Sequence, residues 1–167
     1  VYDNMPAITA LPTEVKFLPN YGYTTIDDLL SDTTIKNNGT ILSGFNFGED
    51  ASSLVSKVNA ASSTATVRIT DINGNAKTTG KLVTGDRVTI TFDDESQQYT
   101  VILYGDSSGD GDITIMDLLQ IQKHIIGATM ISDPYVSAAD NNQDSTINIV
   151  DLLREQKHIL GQIKISG

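Results

Sequence analysis

The chain has 167 residues, enough for one ordinary domain or two small ones, each with a modest core. Its 21 acidic and 11 basic residues leave a net charge of −10, and no Lys/Arg cluster appears, which disfavours nucleic acid and anionic membrane surfaces as partners. Cysteine is absent, so neither disulfides nor thiol chemistry operate here. No apolar run approaches the roughly 20 residues of a membrane span and Val1-Tyr2-Asp3 does not begin a signal peptide, so the sequence reads as a soluble piece of something longer.

In chain order, "PNYGY" (19–23) reads as a turn and "TTIDDLLSD" (24–32) as a brief helical stretch. Both belong to a first forty residues that form an extension or an additional layer. "EDASSLVSKVNA" (49–60) places Leu54, Val55 and Val58 at helical spacing. "TATVRIT" (64–70), "RVTITF" (87–92) and "YTVILY" (99–104) alternate as strands do. "DINGN" and "KTTGK" make a turn-rich connection between the first two. A short helix inside a small antiparallel sheet is the economical reading. "FDDES" (92–96) clusters carboxylates in a hairpin turn where charge is solvated, and no acid/base pair or Ser/His/Asp set can be assembled, so no enzyme is expected.

After Tyr104 the texture changes to carboxylate-rich loops followed by "DLLQIQKHIIG" and "DLLREQKHILG". This is an internal repeat at an offset of 34 residues, aligning Asp110 with Asp144, Asp117 with Asp151, Lys123 with Lys157 and Gly127 with Gly161. Two copies are too few for a solenoid and suit paired motifs of one small domain.

Calcium takes about six to eight oxygens, and a loop of about twelve residues supplies them from positions 1, 3, 5, 7, 9 and 12. In the first copy these are Asp106, Ser108, Asp110, the carbonyl of Asp112, Thr114 and Asp117; in the second, Asp140, Asn142, Asp144, the carbonyl of Thr146, Asn148 and Asp151. Ile113 and Ile147 at position 8 can pack inward and let the loops pair back to back. At position 6, Gly111 is matched by Ser145. A left-handed backbone there costs Ser roughly 1 kcal/mol more than Gly, so the second site is expected to be usable but weaker. The alternative is a pair of solvated Asp/Asn turns, which two loops matching at every ligand position disfavour.

The element before each loop is not a full helix: "YTVILYG" is strand-like and "DPYVSAA" is short. With loop then helix twice, "GDSSGDGDITIMDLLQIQKHIIG" and "DNNQDSTINIVDLLREQKHILG" resemble the duplicated segments of a dockerin, the module by which bacterial cellulosomal proteins plug into cohesins. The resemblance covers about residues 105–163. It implies two calcium ions, calcium-dependent folding, a cohesin of a scaffoldin or cell-surface anchoring protein as partner, a secreted or cell-surface location, and docking rather than catalysis in a polysaccharide-degrading complex. The implied fold class is α+β: a small, mostly antiparallel N-terminal β-module with one short helix (1–104), then an all-α dockerin with two loop-helix F-hand motifs (105–167).

Leu118, Ile121 and Ile125 form one helical stripe, kept in the second copy by Leu152 and Ile159 and interrupted by Glu155; its apolar members are core candidates. The offset face carries Ile115, Met116, Leu119, Gln122, Lys123 and Ile126, matched by Ile149, Val150, Leu153, Gln156, Lys157 and Leu160. The resemblance implies cohesin recognition at loop positions 10 and 11 and helix positions 17 and 18, which fall on Ile115, Met116, Gln122 and Lys123 and on Ile149, Val150, Gln156 and Lys157. Their apolar first pair leans toward a non-type I, type II-like interface, the alternative being that Ile115 and Met116 are core residues. The two similar copies allow two binding orientations, made unequal by Gln120 against Arg154 and Ile121 against Glu155. His124 and His158, each three residues before a helix-ending Gly, are expected to cap carbonyls or lie on the surface rather than bind metal.

No Pro/Ser-rich linker separates "YTVILY" from Gly105, so the two modules are expected to pack as one unit, the first resembling the accessory X module of some dockerins and supporting stability or contact area. An alternative gives the first module carbohydrate binding through Tyr21, Tyr23, Phe45 and Phe47, where core packing is the favoured reading, joined to a calcium-stabilised domain of a cell-surface protein. A further alternative is a calcium-stabilised module that docks nothing.

Overall fold

The structure, a computed structural model, describes residues 22–166. Five strands, β1 (Lys36–Asn38), β2 (Ile41–Ser43), β3 (Thr66–Thr70), β4 (Arg87–Phe92) and β5 (Glu95–Val101), form one sheet in the order β1-β2-β5-β4-β3. β4 shows why these residues make a sheet: Val88, Ile90 and Phe92 are buried while Arg87 faces solvent and Thr89 and Thr91 are half-buried. β4 pairs antiparallel with both β3 and β5, and Phe92 stands opposite Glu95 across the turn at Asp93-Asp94, where Asp93 has a φ of 50°.

Helices α1 (Ile26–Ser31) and α2 (Ala51–Ala61) bury Ile26, Leu29, Leu30, Ala51, Leu54 and Val58 in one core with Val88, Ile90, Tyr99 and Val101. α1 is too short to persist on propensity alone. Thr25 caps it by accepting the Asp28 N–H, and Glu95 Oε2 accepts the Ile26 N–H at 2.8 Å, so the sheet holds the helix start. Phe45 lies in this core at 2% exposure, which removes it from any sugar-stacking platform; Tyr21 lies outside the described residues, as does most of the "PNYGY" segment.

The α+β expectation is corrected: the chain is mixed α/β. β2 pairs parallel with β5, with Ile41 opposite Thr100 and Leu42 opposite Val101, so the sheet is not a simple antiparallel module and carries two helices rather than one. β1 and β2 have three residues each, too few to display alternation in sequence. Nor is the C-terminal half a free-standing all-α dockerin. Helices α3 (Ile115–Ile125), α4 (Tyr135–Ala139) and α5 (Ile149–Ile159) follow the sheet, and the Thr84 N–H ahead of β4 donates to Asp106 in the segment that leads to α3.

The junction is tight. Beyond β5, Ile102 N–H donates to Leu42 O, and Thr84 Oγ1 accepts the Leu103 N–H at 3.1 Å. Gly105, with a φ of +100°, then donates its N–H to Ala138 O at 2.7 Å. A Cβ at Gly105 would stand 2.5 Å from Ile113 Cδ1 in a backbone conformation that L-residues avoid. Gly105→Ala is therefore expected to destabilise the chain by roughly 1–3 kcal/mol, measured by urea unfolding.

Candidate functional site

In residues 106–117, Asp106 is fully buried; its Oδ1 accepts the N–H groups of Gly109 and Asp110, and its Oδ2 accepts the Thr84 N–H at 2.9 Å. Asp117, also fully buried, accepts from Ser108 N at 2.7 Å through Oδ1 and from Thr114 N at 2.9 Å through Oδ2. Thr114 Oγ1 in turn accepts the Met116 N–H, a capping box that starts α3. One carboxylate thus ties the start of the loop to the start of the helix.

Residues 140–151 repeat the plan. Asp151 accepts from Asn142 N and Asn148 N, and Asn148 caps α5 through the Val150 N–H. Asp140 Oδ1 accepts from Asp144 N, and its Oδ2 accepts from Ser145 N at 2.7 Å. Positions 4 and 6 are left-handed in both loops: Gly109 and Gly111 at +77° and +82°, Gln143 and Ser145 at +61° and +69°. Ser145 thus adopts the conformation in which Gly is favoured. Ile113 and Ile147 are half-buried; among the described residues the isolated β-bridges are Asp50–Lys81 and Thr70–Ala76, so no bridge joins the loops at position 8.

The donors suit a hard cation. At positions 1, 5 and 12 each loop offers three carboxylates, with hydroxyl or amide oxygens between them, and Ser108 Oγ is buried with no hydrogen-bond partner. Burial pushes the Asp106 carboxyl up, and burial pushes Asp151 up as well, reinforced by the charges of Asp140 and Asp144. Among the described residues no three His, Cys, Asp or Glu side chains converge as a metal cluster, and the position-1 carboxylates are turned onto backbone amides, those of Gly109, Asp110 and Thr84 for Asp106 and those of Asp144 and Ser145 for Asp140.

On the helices, Ile121 is fully buried, whereas Ile125 and Ile159 are exposed and Leu118 and Leu152 half-buried, so the stripe is core only at its centre. The residue equivalent to Ile121, Glu155, is fully buried as well, and neither of its carboxyl oxygens meets a hydrogen-bond partner. All twelve residues of the offset faces are exposed. Ile115 at 64% and Met116 at 55% are therefore not core residues.

The histidines have a role that spacing did not suggest. His124 Nδ1 accepts the Ile131 N–H at 3.0 Å and His158 Nδ1 the Ile165 N–H at 2.9 Å, each pinning the chain that leaves its helix. Phe47 meets the His158 ring edge-on at 5.9 Å. Thr84 and Lys81 are not marked in sequence either: "KLVTGD" carries no signal that it bonds to a loop 22 to 31 residues further on.

Burial, reinforced by Asp117, pushes the Glu155 carboxyl up to about 9. A group raised above the ordinary carboxylate value contributes stability that is complete below that ordinary value and is lost as pH rises through the folded value. With a divalent-cation chelator present, Glu155→Ile, which installs the residue of the first copy, is expected to stabilise the chain by roughly 1–3 kcal/mol at pH 8 and by less at pH 5, measured by urea unfolding.

Comparison with curated proteins finds no match. The expectation of a non-type I module, drawn from the apolar pairs at positions 10 and 11, is corrected by the family comparison, so those two positions do not decide the type. Residues 104–160, spanning both loops and helices α3 to α5, match the family model of the Dockerin type I domain and so fit a non-catalytic, calcium-dependent, cohesin-binding module.

Proposed function

We propose that the chain docks a cohesin through residues 105–167, shaped by one calcium ion in each loop, and so anchors a parent protein in an extracellular polysaccharide-degrading assembly. In this reading Asp106, Ser108, Asp110, the carbonyl of Asp112, Thr114 and Asp117 hold the first ion. Asp140, Asn142, Asp144, the carbonyl of Thr146, Asn148 and Asp151 hold the second. Each ion supplies positive charge that lets three carboxylates share one small loop, which fixes the helix start behind it. Residues 1–104 serve as an accessory module that stabilises the docking half. No helix among the described residues is long and apolar enough to cross a membrane.

The observation that carries this reading is the pair of equivalent helix faces. Ile115, Met116, Leu119 and Ile126, with Ile149, Val150, Leu153 and Leu160, are all exposed, and each set is flanked by an exposed Gln-Lys pair. Apolar side chains grouped in this way on a polar surface mark a protein-binding site. Their display depends on the loops, because Thr114 and Asn148 are at once ligand positions and helix caps.

Calorimetry of the full chain against a panel of type I cohesins is expected to show binding with calcium and none with chelator. Binding that survives chelation would sink the calcium dependence. The double variant Met116→Asp with Val150→Asp, which places a charge on both faces, is expected to weaken binding by about 2 kcal/mol or more.

A further inference from the structure

We infer that residues 81–86 of the sheet module brace the first calcium loop and not the second, so that the chain releases its two ions in a fixed order, the second loop emptying first. The inference rests on the calcium reading of both loops and adds to it a positioning role for Thr84.

The brace is built from main-chain geometry. Leu82 N–H donates to Glu49 O at 2.7 Å, Gly85 N–H donates to Val101 O at 3.0 Å, and Asp86 O accepts the Val101 N–H at 2.8 Å, so this segment is bonded to the start of α2 and to the end of β5. Asp86 itself is fully buried, its Oδ2 accepting from Lys77 Nζ and the Val83 N–H. Thr84, also buried, donates its Oγ1 hydrogen to Leu103 O and accepts the Leu103 N–H, which fixes the direction of its own N–H. That N–H points at Asp106 Oδ2, the position-1 carboxylate.

The fit continues along the loop. A Cβ at Gly111 would lie 2.9 Å from Val83 Cγ1 and 3.0 Å from Leu82 O, and one at Gly109 would lie 3.2 Å from Thr84 O. The first loop can therefore approach the sheet segment only because positions 4 and 6 lack side chains.

The second loop has none of this. Its equivalents of Gly109 and Gly111 are Gln143 and Ser145, both exposed, and the Oδ2 of Asp140 takes its donor from Ser145 within the loop. Its support is internal: Arg154 Nε donates to Asn141 Oδ1 at 3.1 Å, at a helix position occupied by Gln120 in the first copy. A loop already held by a rigid neighbour loses less conformational freedom on binding an ion, so it binds more tightly and releases more slowly.

The test uses the full chain loaded with calcium and mixed with excess fluorescent chelator. Two release phases are expected, the slow one abolished by Asp110→Asn and the fast one by Asp144→Asn. Thr84→Val is expected to speed the slow phase about tenfold and leave the fast phase unchanged, whereas Thr84→Ser, which keeps the hydroxyl, is expected to restore it. Equal acceleration of both phases, or none, overturns the brace while leaving the calcium reading intact. Absence of any calcium release from the wild-type chain overturns both. A second measurement needs no variant: in a calcium titration followed by NMR, the Thr84 amide resonance is expected to move with the tighter step. Movement only with the weaker step, or no movement, overturns the inference.

Discussion

Two buried carboxylates, Asp117 and Asp151, organise the C-terminal half. Each accepts one N–H from the third residue of its loop and one from the helix cap, so loop and helix cannot be positioned separately. Buried carboxylates are costly unless every lone pair is used, and here the amides that use them are the ones that define the turn. The helix faces that follow take their direction from this tie.

The pseudo-symmetry of the two copies is strong in the backbone and weak in its surroundings. Both loops pass through left-handed positions 4 and 6, both helices begin with a capping box, and both histidines hold the departing chain. The environments then diverge. The first loop presses its glycines against the sheet, while the second leaves its polar equivalents in solvent. Glu155 in place of Ile121 extends the divergence into the helix pair, where a buried carboxyl without partners stands in for an aliphatic side chain. Equivalent exposed faces can thus rest on unequal foundations.

The sheet module is more than a neighbour. Its core is closed by α1 and α2, while its 81–86 connection and the end of β5 provide the surfaces on which the first loop rests. The exposed ion pair between Lys81 Nζ and Asp112 Oδ2, 2.6 Å apart, adds little because both side chains are largely in water. The buried Thr84–Asp106 bond, shielded from competition by solvent, carries the connection.

The features legible along the chain are local ones. Alternation marked β3 and β4, helical spacing marked α2, and the duplicated loop-helix pattern marked the two candidate loops and the twelve exposed helix residues, because each depends on residues a few positions apart. The tertiary structure alone decided what depends on distant segments: the parallel pairing of β2 with β5, the placement of α1 against Glu95, the burial of Glu155 and the reach of Thr84 to Asp106. Three-residue strands carry no period to read, and a main-chain N–H has no residue identity, so a brace made of one leaves no mark in sequence.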